Sequence, residues 1–343
     1  MFKRILVPLD GSARAEKALL TAARLARSSG GTILLAQVAT IPIMYESYGG
    51  SPYAGEIMNT EIENAEAYLE TMAQSEKLAG LQVETNVLFG APAQTLLSMA
   101  TMFKADLIVM TSQGKTGVKR WVLGSVAQKV ARHSPIPVLV LHEAGTMPVG
   151  TRRDSSPVRA LVTLDGSVLA KTAIEPTAQL ITALSAPNAG VLHLLRVVKP
   201  LVFDEKKADA EYIRHLQEQG LHKARTYMQS VVEHLREGPI GKLNLTITWS
   251  VALGDDVADT IIRVAENGED AGGGGVPGRC DMIAMATHGR AGFQHWVLGS
   301  VTERVLSATR LPLLIVRPEE TALQQASEEA FPGGTLVAGH TSA

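Results

Sequence analysis

Two stretches of this chain combine glycines, hydroxyls and basic side chains in the way a phosphate-holding loop needs. The first runs Thr111-Ser112-Gln113-Gly114-Lys115-Thr116-Gly117 and reaches Gly124-Ser125-Val126. The second runs Ala286-Thr287-His288-Gly289-Arg290 and reaches Gly299-Ser300-Val301. Glycine lets a backbone bend tightly and approach a phosphate with no Cβ in the way. A helix opening at Gly124-Ser125 presents unpaired N–H groups and the positive end of its dipole to an anion. Ser125 also has the side chain of an N-cap. The plainer reading is that glycine and serine end a strand and cap a helix, which any α/β domain requires. Two other phosphate motifs fail on spacing. A P-loop needs a glycine where Val109 stands, and it follows a first strand rather than a fourth. No G-x-G-x-x-G follows the first apolar run, so a dehydrogenase-type dinucleotide site has no support.

Asp10 and Asp165 each follow a short apolar run within a shared Leu-Asp-Gly-Ser. In open parallel sheets ligands bind outside the carboxyl ends of the strands, where the strand order reverses. An aspartate there accepts a hydrogen bond from a ribose hydroxyl or an adenine amino group. It also serves as an Asx-type cap for the helix near Ser12, with Gly11 easing the turn. The two roles are compatible, and the sequence does not separate them.

The elements that position these residues follow from a repeat. Ile5 to Ser12 corresponds to Ala160 to Ser167, and Trp121-Val122-Leu123-Gly124-Ser125-Val126 recurs unchanged from Trp296 to Val301. Ser134 to Val140 corresponds to Arg310 to Val316, so three matches in one order indicate duplication. In the first copy, strand-length apolar runs lie at Ile5 to Leu9, Thr32 to Ala39, Val83 to Phe89, Asp106 to Thr111 and Pro137 to Leu141. Helical patterns lie between them at Ala13 to Ser28, Glu56 to Leu78, Ala93 to Phe103 and Ser125 to His133. Continuous apolar runs suit parallel strands buried on both faces, and the alternation implies right-handed crossovers. The second copy repeats the order, with strands near Ala160, Val191, Leu245, Asp281 and Pro312. Its helices are expected at Val168 to Leu184, Asp204 to Arg236, Asp256 to Glu266 and Ser300 to Ala308. The expected division is 1–143, a linker at 144–157, a second domain at 158–318 and a poorly ordered tail at 319–343. A Gly-rich insertion at 267–279 is expected to be a flexible surface loop.

Bulk properties narrow the function classes. The 343 residues suit two domains, with 45% hydrophobic and 19% charged residues. A net charge of -2 offers no electrostatic reason to expect nucleic acid or an anionic membrane as partner. The single cysteine, Cys280, excludes an intramolecular disulfide framework and reads as a small core residue. No secretory leader or spanning segment is legible, and a cytoplasmic location is the expectation.

With Leu-Asp-Gly-Ser, Gly-(nine residues)-Gly-Ser and a proline-led apolar run in order, twice, the chain resembles the universal stress protein family. The likeness spans nearly all of 1–143 and 157–318. It implies two tandem Rossmann-like (adenine nucleotide alpha hydrolase-like) α/β domains, each a five-stranded parallel sheet in the order 3-2-1-4-5. It implies ATP, or ADP or AMP, across the carboxyl edge, with Mg2+ accompanying ATP. By the same resemblance Asp10 and Asp165 would meet adenine or ribose, and Val38 and Val197 the adenine. Gly114, Gly124, Ser125 and Val126 would cradle phosphates in the first copy, and Gly289, Gly299, Ser300 and Val301 in the second. Single-domain relatives pair through their fifth strands, so the two copies are expected to form an intrachain pseudo-dimer open to further oligomerisation.

One departure makes the copies unequal. The first glycine of the family pattern is Thr111 in one copy and Ala286 in the other. Threonine adds β-branching where the backbone should pass close to the nucleotide. His288 and Arg290 would add donors in the second copy, where the first has Gln113 and Lys115; a solvated loop face is the alternative. The second site is therefore expected to bind better. No nucleophile, metal cluster or acid–base pair is arranged as an enzyme would need. Slow ATP hydrolysis, an adenylating enzyme and a nucleotide-free scaffold remain the alternative readings.

Overall fold

The inner strands of this chain come as short runs of Val, Leu, Ile, Met and Ala because both faces of the sheet are covered there, whereas the edge strand at 82–89 is rich in polar residues and has no buried residue. In the computed structural model, the described residues are 2–40, 53–113, 123–142, 147, 157–201, 210–268, 278–287 and 298–318. The expected linker lies almost wholly outside them, as do the tail and the middle of the Gly-rich insertion.

The first half contributes β1 (Arg4–Pro8), β2 (Thr32–Ala39), β3 (Gln82–Phe89), β4 (Leu107–Thr111) and β5 (Val138–Leu141). Its helices are α1 (Ala18–Ser29), α2 (Tyr53–Ala73), α3 (Pro92–Met102) and α4 (Ser125–His133). The second half contributes β6 (Arg159–Thr163), β7 (Gly190–Val198), β8 (Leu245–Leu253), β9 (Met282–Ala286) and β10 (Leu313–Val316). Its helices are α5 (Val168–Lys171), α6 (Ile174–Ser185), α7 (Ala210–Glu237), α8 (Val257–Asn267) and α9 (Ser300–Ala308).

Among the described residues, ten strands form one sheet, in the order β3-β2-β1-β4-β5-β10-β9-β6-β7-β8. Each half keeps the order 3-2-1-4-5 with parallel neighbours. The halves meet at the antiparallel pair β5–β10, with Val138 opposite Ile315, Leu139 opposite Leu314 and Val140 opposite Leu313. Alternate residues feed opposite layers, as a pleat requires. Ile5, Val7, Leu107 and Val109 join Ala160, Val162, Met282 and Leu314 on one face. Leu6, Ile108, Val138 and Val140 join Leu161, Ile283, Leu313 and Ile315 on the other. Both layers therefore run through the seam, and α1 packs against α6 across it.

Three expected helices differ. The one expected from Glu56 to Leu78 ends at Ala73, with a separate 3-10 turn at Glu76–Leu78. The run from Val168 breaks into α5 and α6, because Pro176 cannot donate to a carbonyl four residues back and its ring clashes there. Restarting at Ile174 places Pro176 in a first turn, where no donor is needed. In the first half a 3-10 turn at Ala15–Lys17 precedes α1 in place of a helix from Ala13. The insertion was expected to begin at Asn267, but that residue ends α8, and Gly268 caps it at φ 68. A Cβ on Gly268 would meet the Arg279 nitrogen at 2.7 Å, so the two ends of the insertion touch.

Two expected outcomes follow from local packing. Gly220 lies inside α7, and a Cβ there would meet nothing within 4 Å. Gly220→Ala should therefore stabilise the chain by about 0.5–1 kcal/mol, read as a higher urea midpoint with unchanged slope. Cys280 is buried just before β9, and that burial pushes its thiol up to about 12. Iodoacetamide at pH 8 should leave the native protein unmodified and alkylate it once unfolded, as mass spectrometry would record.

Candidate functional site

The amino edges of both halves are clamped by an aspartate at the start of the fourth strand. Asp106 Oδ2 accepts from the Lys3 amide at 2.6 Å, and Asp281 Oδ2 accepts from the Arg159 amide at 2.8 Å. The chemistry lies at the other edge. There β1 has β2 on one side and β4 on the other, and β6 likewise separates β7 from β9. Crossovers leave in opposite directions from these pairs, which opens a crevice at the carboxyl ends.

Asp10 and Asp165 sit at this point in matching geometry. Asp10 Oδ1 accepts from the Ser12 amide at 3.0 Å and its hydroxyl at 2.6 Å. Asp165 Oδ1 accepts from the Ser167 amide at 2.9 Å and its hydroxyl at 2.6 Å. Each serine oxygen in turn accepts the amide of the third following residue, Ala15 or Ala170, at 3.2 Å. Gly11 and Gly166 make the turn at φ 78 and 91, a region that favours glycine. Each aspartate thus holds its turn through Oδ1. Ser12 and Ser167 were missed as structural links in the sequence reading; their signal was the serine two residues after each aspartate.

At the fourth strands the same construction appears twice. Gly124 donates its amide to Ser112 O at 2.7 Å, and Gly299 donates to Thr287 O at 2.8 Å. The Ser112 and Thr287 amides donate to Leu141 O and Val316 O, each at 2.8 Å, which ties both loops to the seam strands. A Cβ on Gly124 would meet Ser112 O at 3.0 Å, and one on Gly299 would meet Thr287 O at 3.2 Å. Glycine is favoured here by close approach rather than by backbone conformation, since φ is -63 at Gly124 and -59 at Gly299.

The cap itself differs from expectation. Gly124 is the N-cap of α4 and Ser125 its first helical residue, because Gly124 is extended and its carbonyl accepts the Gln128 amide at 2.9 Å. Gly299 plays the same part for α9. The amides of Ser125, Val126 and Ala127, and of Ser300, Val301 and Thr302, therefore occupy the first turns, which have no acceptor within the helix. Ser125 and Ser300 are exposed there. Gly114, His288, Gly289 and Arg290 lie outside the described residues.

The halves differ in three places. Thr111 donates its hydroxyl to Gln113 O at 2.9 Å, folding the side chain into its own loop. In the second half Ala286 offers no such group, and Thr302 donates to its carbonyl at 3.1 Å. Val38, half-buried near the end of β2, packs on one layer, while Tyr68 of α2 packs on the other and donates to Glu16 Oε1 at 3.3 Å. Burial first, then the Glu16 carboxylate, pushes the Tyr68 hydroxyl well above its ordinary value. In the second half Val197 packs on the layer opposite Tyr227, which has Arg196 5.0 Å and Lys171 5.5 Å from its ring centre. An acidic surround in one half is thus basic in the other, a contrast scattered over distant positions and invisible to motif spacing.

Gly90 and Gly254, after β3 and β8, were likewise missed. Their amides close the edge on Ala39 O at 3.2 Å and Val198 O at 3.1 Å, and a Cβ on either would strike the hydroxyl of Thr95 or Thr260. Among the described residues no cluster of three potential metal ligands occurs, and no helix is long and apolar enough to cross a membrane.

Two doubly wound parallel halves with glycine-docked helix N-termini at their carboxyl edges define the open, doubly wound α/β class. Comparison with known proteins narrows it: residues 1–142 and 158–317 each match the Universal stress protein family, and the chain belongs to that family. A universal stress protein of Thermus aquaticus is 37% identical over 142 residues, covering 41% of this chain and 99% of the relative. One from Methanocaldococcus jannaschii is 32% identical over 143 residues, covering 41% and 82%. A crystal structure of a universal stress protein from Archaeoglobus fulgidus superposes with a TM-score of 0.61 at 20% identity, over 92% of this chain and 98% of that one. This last likeness is one of fold.

Proposed function

We propose that this chain binds adenine nucleotide at the carboxyl edge of each half, and that the bound state changes its conformation or its partners in a stress or signalling response. ATP is the expected ligand, with ADP and AMP as smaller forms and Mg2+ accompanying the triphosphate. The observation that carries this reading is the pair of N-caps, Gly124 and Gly299, packed against a backbone carbonyl at 3.0 and 3.2 Å from any added Cβ. Such docking leaves a helix N-terminus open beside an aspartate at the switch point, an arrangement suited to an anionic nucleotide. Asp10, Asp165, Val38 and Val197 are assigned to the nucleoside, and Ser125, Val126, Ser300 and Val301 to phosphates. Thr111, Ala286, Gly114, Gly289, His288 and Arg290 are assigned to the intervening loops. The two halves act as an intrachain pseudo-dimer in the cytoplasm.

The second site is the tighter one on this reading. Thr111 turns its hydroxyl into the first loop, whereas Ala286 has no hydroxyl at the matching place. The same observation supports a scaffold role for the first half if only one site fills. The test is mass spectrometry of small molecules released on denaturing the purified protein, followed by calorimetric ATP titration of the emptied form. Two unequal binding phases are expected; absence of any ATP heat and of any released nucleotide would overturn the reading.

A further inference from the structure

The seam between the halves carries charge as well as apolar area. The pairing of Leu139 with Leu314 lies at its centre, and these residues hold the same place in the two copies, as do Gly124 and Gly299. The seam is thus close to self-symmetric, and its strand residues (Val138, Leu139, Val140 against Leu313, Leu314, Ile315) are apolar on both sides. Such strands do not choose between a like and an unlike partner.

The helices above them do choose. Gln128 of α4 and Glu303 of α9 also hold equivalent places, and they meet across the seam, with Gln128 Nε2 3.4 Å from Glu303 Oε1. Arg132, one turn further along α4, donates to the same Glu303 oxygen at 2.5 Å. The residue equivalent to Arg132 is Ser307, whose hydroxyl donates to the Glu303 main-chain oxygen at 2.9 Å. The guanidinium and carboxylate are only partly exposed, at 29% and 38%, so solvent screens the pair incompletely. Two first halves paired in this way would face two Arg132 side chains with glutamines. Two second halves would set Glu303 against Glu303 with no cation between them.

We infer that the seam is an interface built to join a first half to a second half, its own or that of a second copy of this chain, and to reject both like pairings. The attractive element is Arg132–Glu303; a second-half self-pair sets Glu303 against Glu303, and a first-half self-pair leaves Arg132 without its carboxylate. This rests on the seam contacts alone and stands apart from nucleotide binding.

A specific protease site placed within 148–156 of the full chain allows the folded protein to be nicked, unfolded in urea, refolded and weighed by native mass spectrometry. Mixed pairs should exceed each self-pair by at least tenfold. Glu303→Gln should bring second-half self-pairs toward their statistical share. Self-pairs at the statistical share in the unsubstituted chain, or no change with Glu303→Gln, would overturn the inference. The intact chain gives a reading that needs no reassembly. Arg132→Glu and Glu303→Arg should each lower the unfolding midpoint in urea, and the two together should recover most of the loss. Strict additivity of the two losses would count against it equally.

Discussion

In a chain carrying Gly299→Val, the tighter of two ATP-binding phases is expected to disappear, while Gly124→Val leaves that phase and removes the weaker one. Gly299 has ordinary dihedrals for any residue, so the substitution acts through space rather than through backbone strain. A Cβ there would stand 3.2 Å from Thr287 O, and valine adds two methyl groups beyond it. The start of α9 must then move off the β9 loop, and the branched side chain shields the first-turn amides. Hydrogen bonds to a charged phosphate contribute roughly 1.5–3 kcal/mol each, so losing two weakens binding by roughly a hundredfold or more. Valine is also a poor N-cap, which costs about 1 kcal/mol of stability; thermal melts beside the titration separate that from lost binding. A double variant that still binds ATP with two unchanged phases would sink the phosphate assignment.

The second large effect concerns acid stability. His193 lies on β7, 1% exposed, with Nδ1 2.8 Å from Thr248 Oγ1 and Nε2 2.8 Å from Ser250 Oγ on β8. Burial first, and then the Arg159 charge, lowers its pKa from 6.5 to about 4. The unfolded chain takes up a proton as pH falls through the ordinary value, while the folded chain stays neutral down to about 4. The unfolded state therefore binds more protons in that window. Stability from this group is complete above pH 6.5, declines as pH falls toward 4 and levels off below. At 1.36 kcal/mol per unit the loss is about 3 kcal/mol. Urea titrations at pH 7.0, 5.5 and 4.5 should show this slope, and His193→Gln should flatten it by that amount. An equal slope in both proteins would exclude His193 as its source. His142, at the end of β5, is also held low by burial, so it works in the same direction in both proteins.

Much of the fold was legible because its signals are local. Parallel strands covered on both faces must be continuous apolar runs, and Thr32 to Ala39 was placed to the residue. Ser125 to His133 and Ser300 to Ala308 were likewise placed as helices with correct ends. The break before Ile174 has a local signal too, in Pro176. At the candidate site, the aspartate and glycine positions could be read because tight turns and close approaches demand those residue types. The capping role of Gly124 was misassigned to Ser125, since side-chain preference suggested serine while packing against Ser112 placed glycine at the cap.

Other features required the fold. The contrast between Glu16 beside Tyr68 and Lys171 beside Tyr227 arises from residues brought together by helix packing on the sheet. His193 gives no sign in the sequence that two hydroxyls await it more than fifty positions later. By itself the sequence determined the duplication, the strand order implied by resemblance, and the residue types at both carboxyl edges, because each depends on neighbours in the chain. Only the tertiary structure decided that Arg132 meets Glu303, and that Gly124 and Gly299 rather than the serines after them are the N-caps of α4 and α9. Those depend on which surfaces touch after folding, and pairings between distant residues leave no periodicity to read.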